Sequence, residues 1–279
     1  MKFKIVVDSC CDLTKEMKKD AFFETVPLEL QIGDYITPDD DTFNQKDFLK
    51  RIAESPICAK SACPSPERFL RAYQCGAKEI YVITLSSKLS GSYNSAMLAK
   101  TMLEEVDNQI KVHVFDSCSA SSGEFHLALF LRKIADSELS FEDVVMKTLQ
   151  YQDKLGTYFV LDNLETLRKN GRLSLVKAFV ASTLNIKPIM GATKEGEIVQ
   201  LNKAIGMKKA LQKLVETIEK DRKFDNNGVL VISHCNCFER AELVRDMILE
   251  KIAYKEVHII DTAGISTMYA NDGGIIVVA

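Results

Sequence analysis

Only four histidines occur in this chain of 279 residues, no Gly-x-Ser-x-Gly elbow is present, and neither standard glycine-rich phosphate loop appears. These shortages constrain the chemistry. Serine-based hydrolysis needs a histidine held by an acid, and nucleotide phosphates are cradled by glycines at fixed offsets. No apolar run approaches the roughly 20 residues of a membrane helix, and no repeat, low-complexity segment or flexible linker interrupts the pattern. Positive charge is not in excess: 36 basic against 39 acidic residues leave a formal charge of -3. A broad basic face of the kind that neutralises nucleic-acid phosphates is therefore not expected. The opening Met1-Lys2-Phe3-Lys4-Ile5-Val6-Val7-Asp8 meets an acid after three consecutive apolar positions, which reads as a strand and not as a leader core. The expectation is a cytoplasmic protein whose eight cysteines stay reduced.

Those cysteines do not form a metal pattern. Cys10 and Cys11 are adjacent, Cys58 and Cys63 are five apart, and His234-Cys235-Asn236-Cys237 gathers three donors without the second separated pair of a structural zinc site. Buried free thiols are the simpler reading, so no metal is expected.

What the chain does contain is 46% hydrophobic residues in alternating apolar runs and amphipathic stretches, enough for a substantial core. Strands are expected at Lys4–Val7, Phe22–Gln31, Lys78–Leu85 and Lys111–Phe115. Helices are expected after the polar turn Asp8–Asp12, from Thr42, and over Glu67–Tyr73, Tyr93–Glu105, Phe125–Ala135 and Phe141–Lys154. This βαβ rhythm implies a parallel sheet with helices on its faces. The second half changes character: Gly156–Leu161 extended, Leu164–Asn170 and Phe179–Leu184 helical, Ile186–Met190 and Glu197–Lys203 extended, then a helix at Met207–Asp221 and strands at Gly228–Ser233, Glu256–Ile260 and Gly274–Val278. Two α/β domains, 1–153 and 154–279, follow from that change.

Three hydroxyl-rich loops follow strand ends: Ser9 with its neighbours, Ser86–Ser92 and Ser117–Ser122. In open parallel sheets such loops converge on one crevice. Ser90 and Gly91 directly precede a helix, where free N–H groups and the helix dipole favour an anion, although Ser90 could equally serve only as a cap. Of the histidines, His113, His126 and His258 read as core or interface residues. His234, ending a strand before a polar loop, is the best candidate base for an enzyme acting on a small anionic or ester substrate in the same crevice.

At this point several segments resemble the signatures of the DegV family, in order along almost the whole chain. They are Val7-Asp8-Ser9-Cys10-Cys11-Asp12-Leu13, Ser61-Ala62-Cys63-Pro64, the Leu85–Tyr93 stretch with Leu89-Ser90-Gly91, Asp116-Ser117 with Ser121 and Gly123, Leu164–Ser174 with Asn170-Gly171-Arg172-Leu173-Ser174, and Ile186-Lys187-Pro188-Ile189. The resemblance implies a two-domain α/β fold, with a mainly parallel sheet in the N-terminal domain and a mixed sheet in the C-terminal one. It also implies that one long-chain fatty acid is held between the domains without catalysis or cofactor. Some members present the acid to the ATP-using protein of a bacterial fatty acid kinase. Carried over by position, the ligand-binding set is Ser61, where the family usually has Thr, with Ser90, Gly91, Ser92, Ser121 and Arg172. Arg172 could instead tie its loop to an acidic neighbour.

Two departures bear on the kinase partner. Kinase-coupled members carry an Arg in a Lys-Ala-Arg-like segment, where this chain has Lys203-Ala204-Ile205. They carry a His in a His-x-Gly-x-Gly stretch, where it has Met268-Tyr269-Ala270-Asn271-Asp272-Gly273. Ile205 and Met268 supply no cation or donor for an acyl phosphate, so fatty-acid binding is expected to survive better than kinase coupling.

Overall fold

The computed structural model describes residues 1–173, 175, 185–221 and 228–279. The helix expected over Phe179–Leu184 lies outside them. The chain runs β1 (Phe3–Asp8), α1 (Lys15–Lys19), β2 (Phe23–Val26), β3 (Glu29–Ile32), β4 (Tyr35–Pro38), α2 (Gln45–Glu54), β5 (Lys60–Ala62) and α3 (Pro66–Tyr73). It continues through β6 (Glu79–Thr84), α4 (Ser92–Glu104), β7 (Lys111–Asp116), α5 (Ser122–Ala135) and α6 (Phe141–Gln152). Then follow β8 (Thr157–Val160), α7 (Glu165–Lys169), β9 (Ile186–Ala192), β10 (Ile198–Ile205), α8 (Met207–Asp221), β11 (Val229–His234), α9 (Phe238–Leu249), β12 (Glu256–Asp261), α10 (Gly264–Ala270) and β13 (Ile275–Val278).

The first sheet has the order β2-β1-β6-β7 and is parallel throughout. Every residue of β1 is buried, because alternate side chains serve two different cores. Phe3, Ile5 and Val7 join Tyr81, Ile83 and Phe115 against α5. Val6, Ile80, Val82 and Val114 pack on the other face against Phe69 of α3 and Ala96 of α4. Burial on both faces is what makes parallel strands read as nearly continuous apolar runs. A six-stranded sheet, β10-β9-β8-β13-β11-β12, occupies the second half. Its β11–β12 pair is parallel and the others are antiparallel, so the sheet is mixed.

Helix α5 lies between the two sheets, with nine of its fourteen residues buried. Phe125, Leu127 and Leu131 share one core with Val231 and Ile260 of the second sheet, and the Ser233 N–H donates to Ser122 Oγ at 3.0 Å.

Several expectations need correction. The extended segment Phe22–Gln31 is two strands in different sheets: Pro27 offers no N–H to a ladder, the Leu28 N–H turns to Ser9 Oγ at 3.1 Å, and β3 joins β4 and β5 in a small antiparallel sheet. Ser61 therefore sits on a strand, opposite Leu30, and not in a loop. The second helix starts at Gln45 with Asn44 as its cap, the Asp47 N–H donating to Asn44 Oδ1; Thr42 instead bonds Asp40. Two helices were not anticipated. Of these, α9 buries only Ala241, Val244 and Ile248, a weak stripe, and α10 is seven residues long.

Helix α10 is fastened to the first half of the chain. Asp39 accepts from the N–H groups of Gly264 and Ile265 at 2.6 and 2.8 Å, Asp12 accepts from Ala263 at 2.7 Å, and Gln45 donates to the Thr262 carbonyl at 2.9 Å. A Cβ at position 264 would lie 2.6 Å from Asp39 Oδ1, so only glycine lets the backbone come this close. Asp39→Ala strands two buried donors, and it is expected to lower stability by about 3 kcal/mol in urea unfolding, at roughly 1 to 3 kcal/mol per orphaned group. A loss below the noise of the titration would show that the clamp is not structural.

Candidate functional site

Between the sheets lies a cavity whose wall is drawn from both halves of the chain. Its wall is mostly apolar, with Leu28 and Leu85 from the first half and Phe159, Leu161, Ile198 and Ile276 from the second. Thr157, Phe159 and Leu161, alternate positions along and just past β8, all face it, so it follows that strand for about 13 Å at ~3.3 Å per residue.

Polar groups gather near the Leu161 end, where Leu89 and Tyr269 pack on the same core. Ser61 Oγ and Tyr269 Oη are 3.2 Å apart. The Arg172 guanidinium stands 5.9 Å from the centroid of the Tyr269 ring and is aimed by its bonds to the carbonyls of Leu89 (3.1 Å) and Asn170. Burial raises the Tyr269 pKa above its ordinary value, so the phenol stays protonated and able to donate. Ser90 Oγ accepts from the Ser92 N–H at 3.2 Å and lines the cavity; the cap position of the helix is Gly91, without a side-chain cap, so Ser90 is not the cap residue.

Of the six residues expected in the site, Ser61, Ser90, Ser121 and Arg172 line the cavity and Gly91 and Ser92 do not. Ser92 is fully buried and bonds Asp8. Gly91 packs on Cys63, whose Sγ would lie 3.0 Å from an added Cβ. Ser121 is committed as well, its hydroxyl donating to Asp12 from a left-handed backbone (φ 55°) that is uncommon for a non-glycine residue. Tyr269 was missed. Met268, which the resemblance sets where kinase-coupled members carry a His, is wholly buried in a core with Leu28, Leu30 and Phe48, and its neighbour Tyr269 faces the cavity. Ile205 is 66% exposed at the end of β10, outside the cavity wall.

None of the four histidines lines the cavity. His126 is buried; its Nε2–H donates to the Val229 carbonyl and its Nδ1 accepts from Tyr151. His113 packs on Phe115, His258 pairs with Glu256, and His234 lies 3.4 Å from Asp261. All eight cysteines are free, and among the described residues no three His, Cys, Asp or Glu side chains are arranged to hold a metal ion.

Behind the cavity lies a layer of buried acids. Asp8 accepts from the N–H groups of Cys10 and Leu85, both at 3.0 Å, and burial still pushes its pKa up to about 6. Asp12 is pushed up to about 7 by the same cause. Glu124 has both oxygens buried without a hydrogen-bond partner, and desolvation, reinforced by Asp8, raises its pKa well above the carboxylate range.

The family is identified by comparison with known proteins. Residues 2–279 match the family model described as "Uncharacterised protein, DegV family". A DegV domain-containing protein of Streptococcus pyogenes serotype M3 is 38% identical over 99% of this chain and 98% of its own. A DegV family protein from Ruminococcus gnavus, solved with vaccenic acid, is 51% identical with a TM-score of 0.97, covering 100% of this chain and 99% of that one. The Streptococcus pneumoniae Fatty Acid Kinase (Fak) B3 protein, solved loaded with linoleic acid, is 34% identical with a TM-score of 0.91 and the same coverage. The cavity and its two-sheet frame are thus those of a DegV-type α/β protein. The chain belongs to the DegV family.

The buried acids make a pH prediction. Each carboxyl titrates higher folded than unfolded, so between about pH 4 and 7 the folded chain holds more protons, and stability falls as pH rises through that window. Glu124 extends the decline above it. Glu124→Gln is expected to flatten Tm against pH on the alkaline side; a slope as steep as the parent's would contradict the assignment.

Proposed function

We propose that this chain binds one long-chain fatty acid in the inter-sheet cavity and carries it without catalysing a reaction. The observation that bears most on this is the polar corner of Ser61, Ser90, Tyr269 and Arg172 at one end of an otherwise apolar enclosure. Arg172 supplies the fixed positive charge and three hydroxyls can donate to a carboxylate, a charged acceptor that gains more than a neutral one. Along the wall, enclosure of about fifteen methylenes at ~0.8 kcal/mol each gains on the order of 12 kcal/mol before ordering costs. Likeness to relatives solved with vaccenic and linoleic acid supports the ligand class. In this reading the chain divides near residue 153, each part giving one wall. Among the described residues no helix is long and apolar enough to cross a membrane.

Native mass spectrometry of the purified or delipidated and reloaded protein is expected to show one acyl chain per polypeptide. Ser61→Ala combined with Ser90→Ala is expected to weaken binding by about 1 to 3 kcal/mol and leave the tail contribution intact. Unchanged affinity would displace the headgroup from this corner. Presentation to a fatty acid kinase is the finer part of the proposal. Likeness to the Fak B3 protein supports such a partner, while Ile205 and Met268 offer no charge where kinase-coupled members carry Arg and His, and Arg172 is the cation of the corner. Acyl-phosphate formation is therefore expected to run below that of an active relative assayed alongside, and an equal rate would refute this.

A further inference from the structure

The cavity does not end at an apolar cap. At the Thr157 end of β8 it adjoins a second cavity of mixed polarity, and the two share only Ser119, Thr157 and Ala192 as wall. Ser119 Oγ and Thr157 Oγ1 lie 2.7 Å apart across this boundary, joining the loop after β7 to the first residue of β8. The partition is closely fitted. A Cβ on Gly123 would come within 1.9 Å of Ser119 Oγ, one on Gly191 within 2.9 Å of the Thr157 carbonyl, and one on Gly196 within 2.3 Å of Ser86 Oγ. The Ser119 carbonyl is held in turn by the Ser86 N–H at 2.8 Å and the Ser117 hydroxyl at 3.1 Å.

We infer that the Ser119–Thr157 pair is the length stop of the fatty-acid site: the tail runs along β8 away from the Tyr269 corner, and its methyl end halts against the bridged hydroxyls. Two features favour a stop over an open passage. The hydrogen bond spans elements from both halves of the chain, so it fixes the wall instead of merely coating it. The space beyond has Leu155 and Leu201 in its wall but also Gln152, Asp153, Lys194 and Asp221, so a methylene entering it would displace water from charged side chains. The inference rests on the fatty-acid reading and adds a selectivity to it.

The test is binding of saturated fatty acids of graded length to the full chain and to Thr157→Ala and Ser119→Ala. For the parent, affinity is expected to climb with each methylene and then drop sharply at one length. Either variant opens the partition and is expected to bind the first excluded acid at least about fourfold more tightly, the gain of one further enclosed methylene, with shorter acids little affected. Thr157→Ser, which keeps the bridge, should retain the parent's cut-off. A parent without a cut-off, or a cut-off unmoved in both alanine variants, overturns the stop while leaving fatty-acid binding in place. A parent that binds no acid of any length overturns the fatty-acid reading, and the stop with it.

Discussion

At the start of α10 three successive backbone N–H groups, those of Ala263, Gly264 and Ile265, end on the carboxylates of Asp12 and Asp39 from the other half of the chain. Burying such carboxylates is expensive, and much of the attraction only offsets desolvation; the raised pKa values of both groups record that cost. The clamp's net contribution is accordingly smaller than its short bonds suggest. Its geometric effect is larger, because α10 carries Ile265 and Tyr269 into the cavity wall. With the helix free, neither the enclosure nor the polar corner would exist in its present form.

The cavity divides its work unevenly. Its apolar wall supplies an attraction that is large, additive per methylene and indifferent to direction. In the proposed site, its polar corner would add a few kcal/mol that depend on geometry, and would so set which end of an amphiphile points where. Ser92 and Ser121 show how few hydroxyls are free for that task. Both belong to serine-rich loops, yet one is turned to Asp8 and the other to Asp12, where they satisfy buried acids.

Much of the frame was legible in the sequence. Strands β1, β6 and β7 announce themselves as apolar runs at regular spacing, and Ser61, Ser90 and Arg172 sit in motifs whose order marks the family. The rest depended on information that no local pattern holds. Whether Met268 or Tyr269 faces the cavity is set by the rotation of α10, since neighbours on a helix point about 100° apart, and that rotation comes from Asp12 and Asp39, more than two hundred residues away in sequence. The break at Pro27 was visible as a proline, but its result, a change from one sheet to another, depends on Ser9 receiving the Leu28 N–H. The small β3-β4-β5 sheet escaped notice because β5 is three residues long and only its middle residue, Ser61, is drawn inward.

Helix α5 gives the two halves a common fate. Its apolar face completes the core under β1 and β6 while also touching Val231 and Ile260, so neither sheet has a finished interior without it. If one half opened, the other would be left with bare hydrocarbon and an unanswered Ser122–Ser233 contact. The chain should therefore lose its structure in a single cooperative step, with no point between the two sheets at which unfolding can pause.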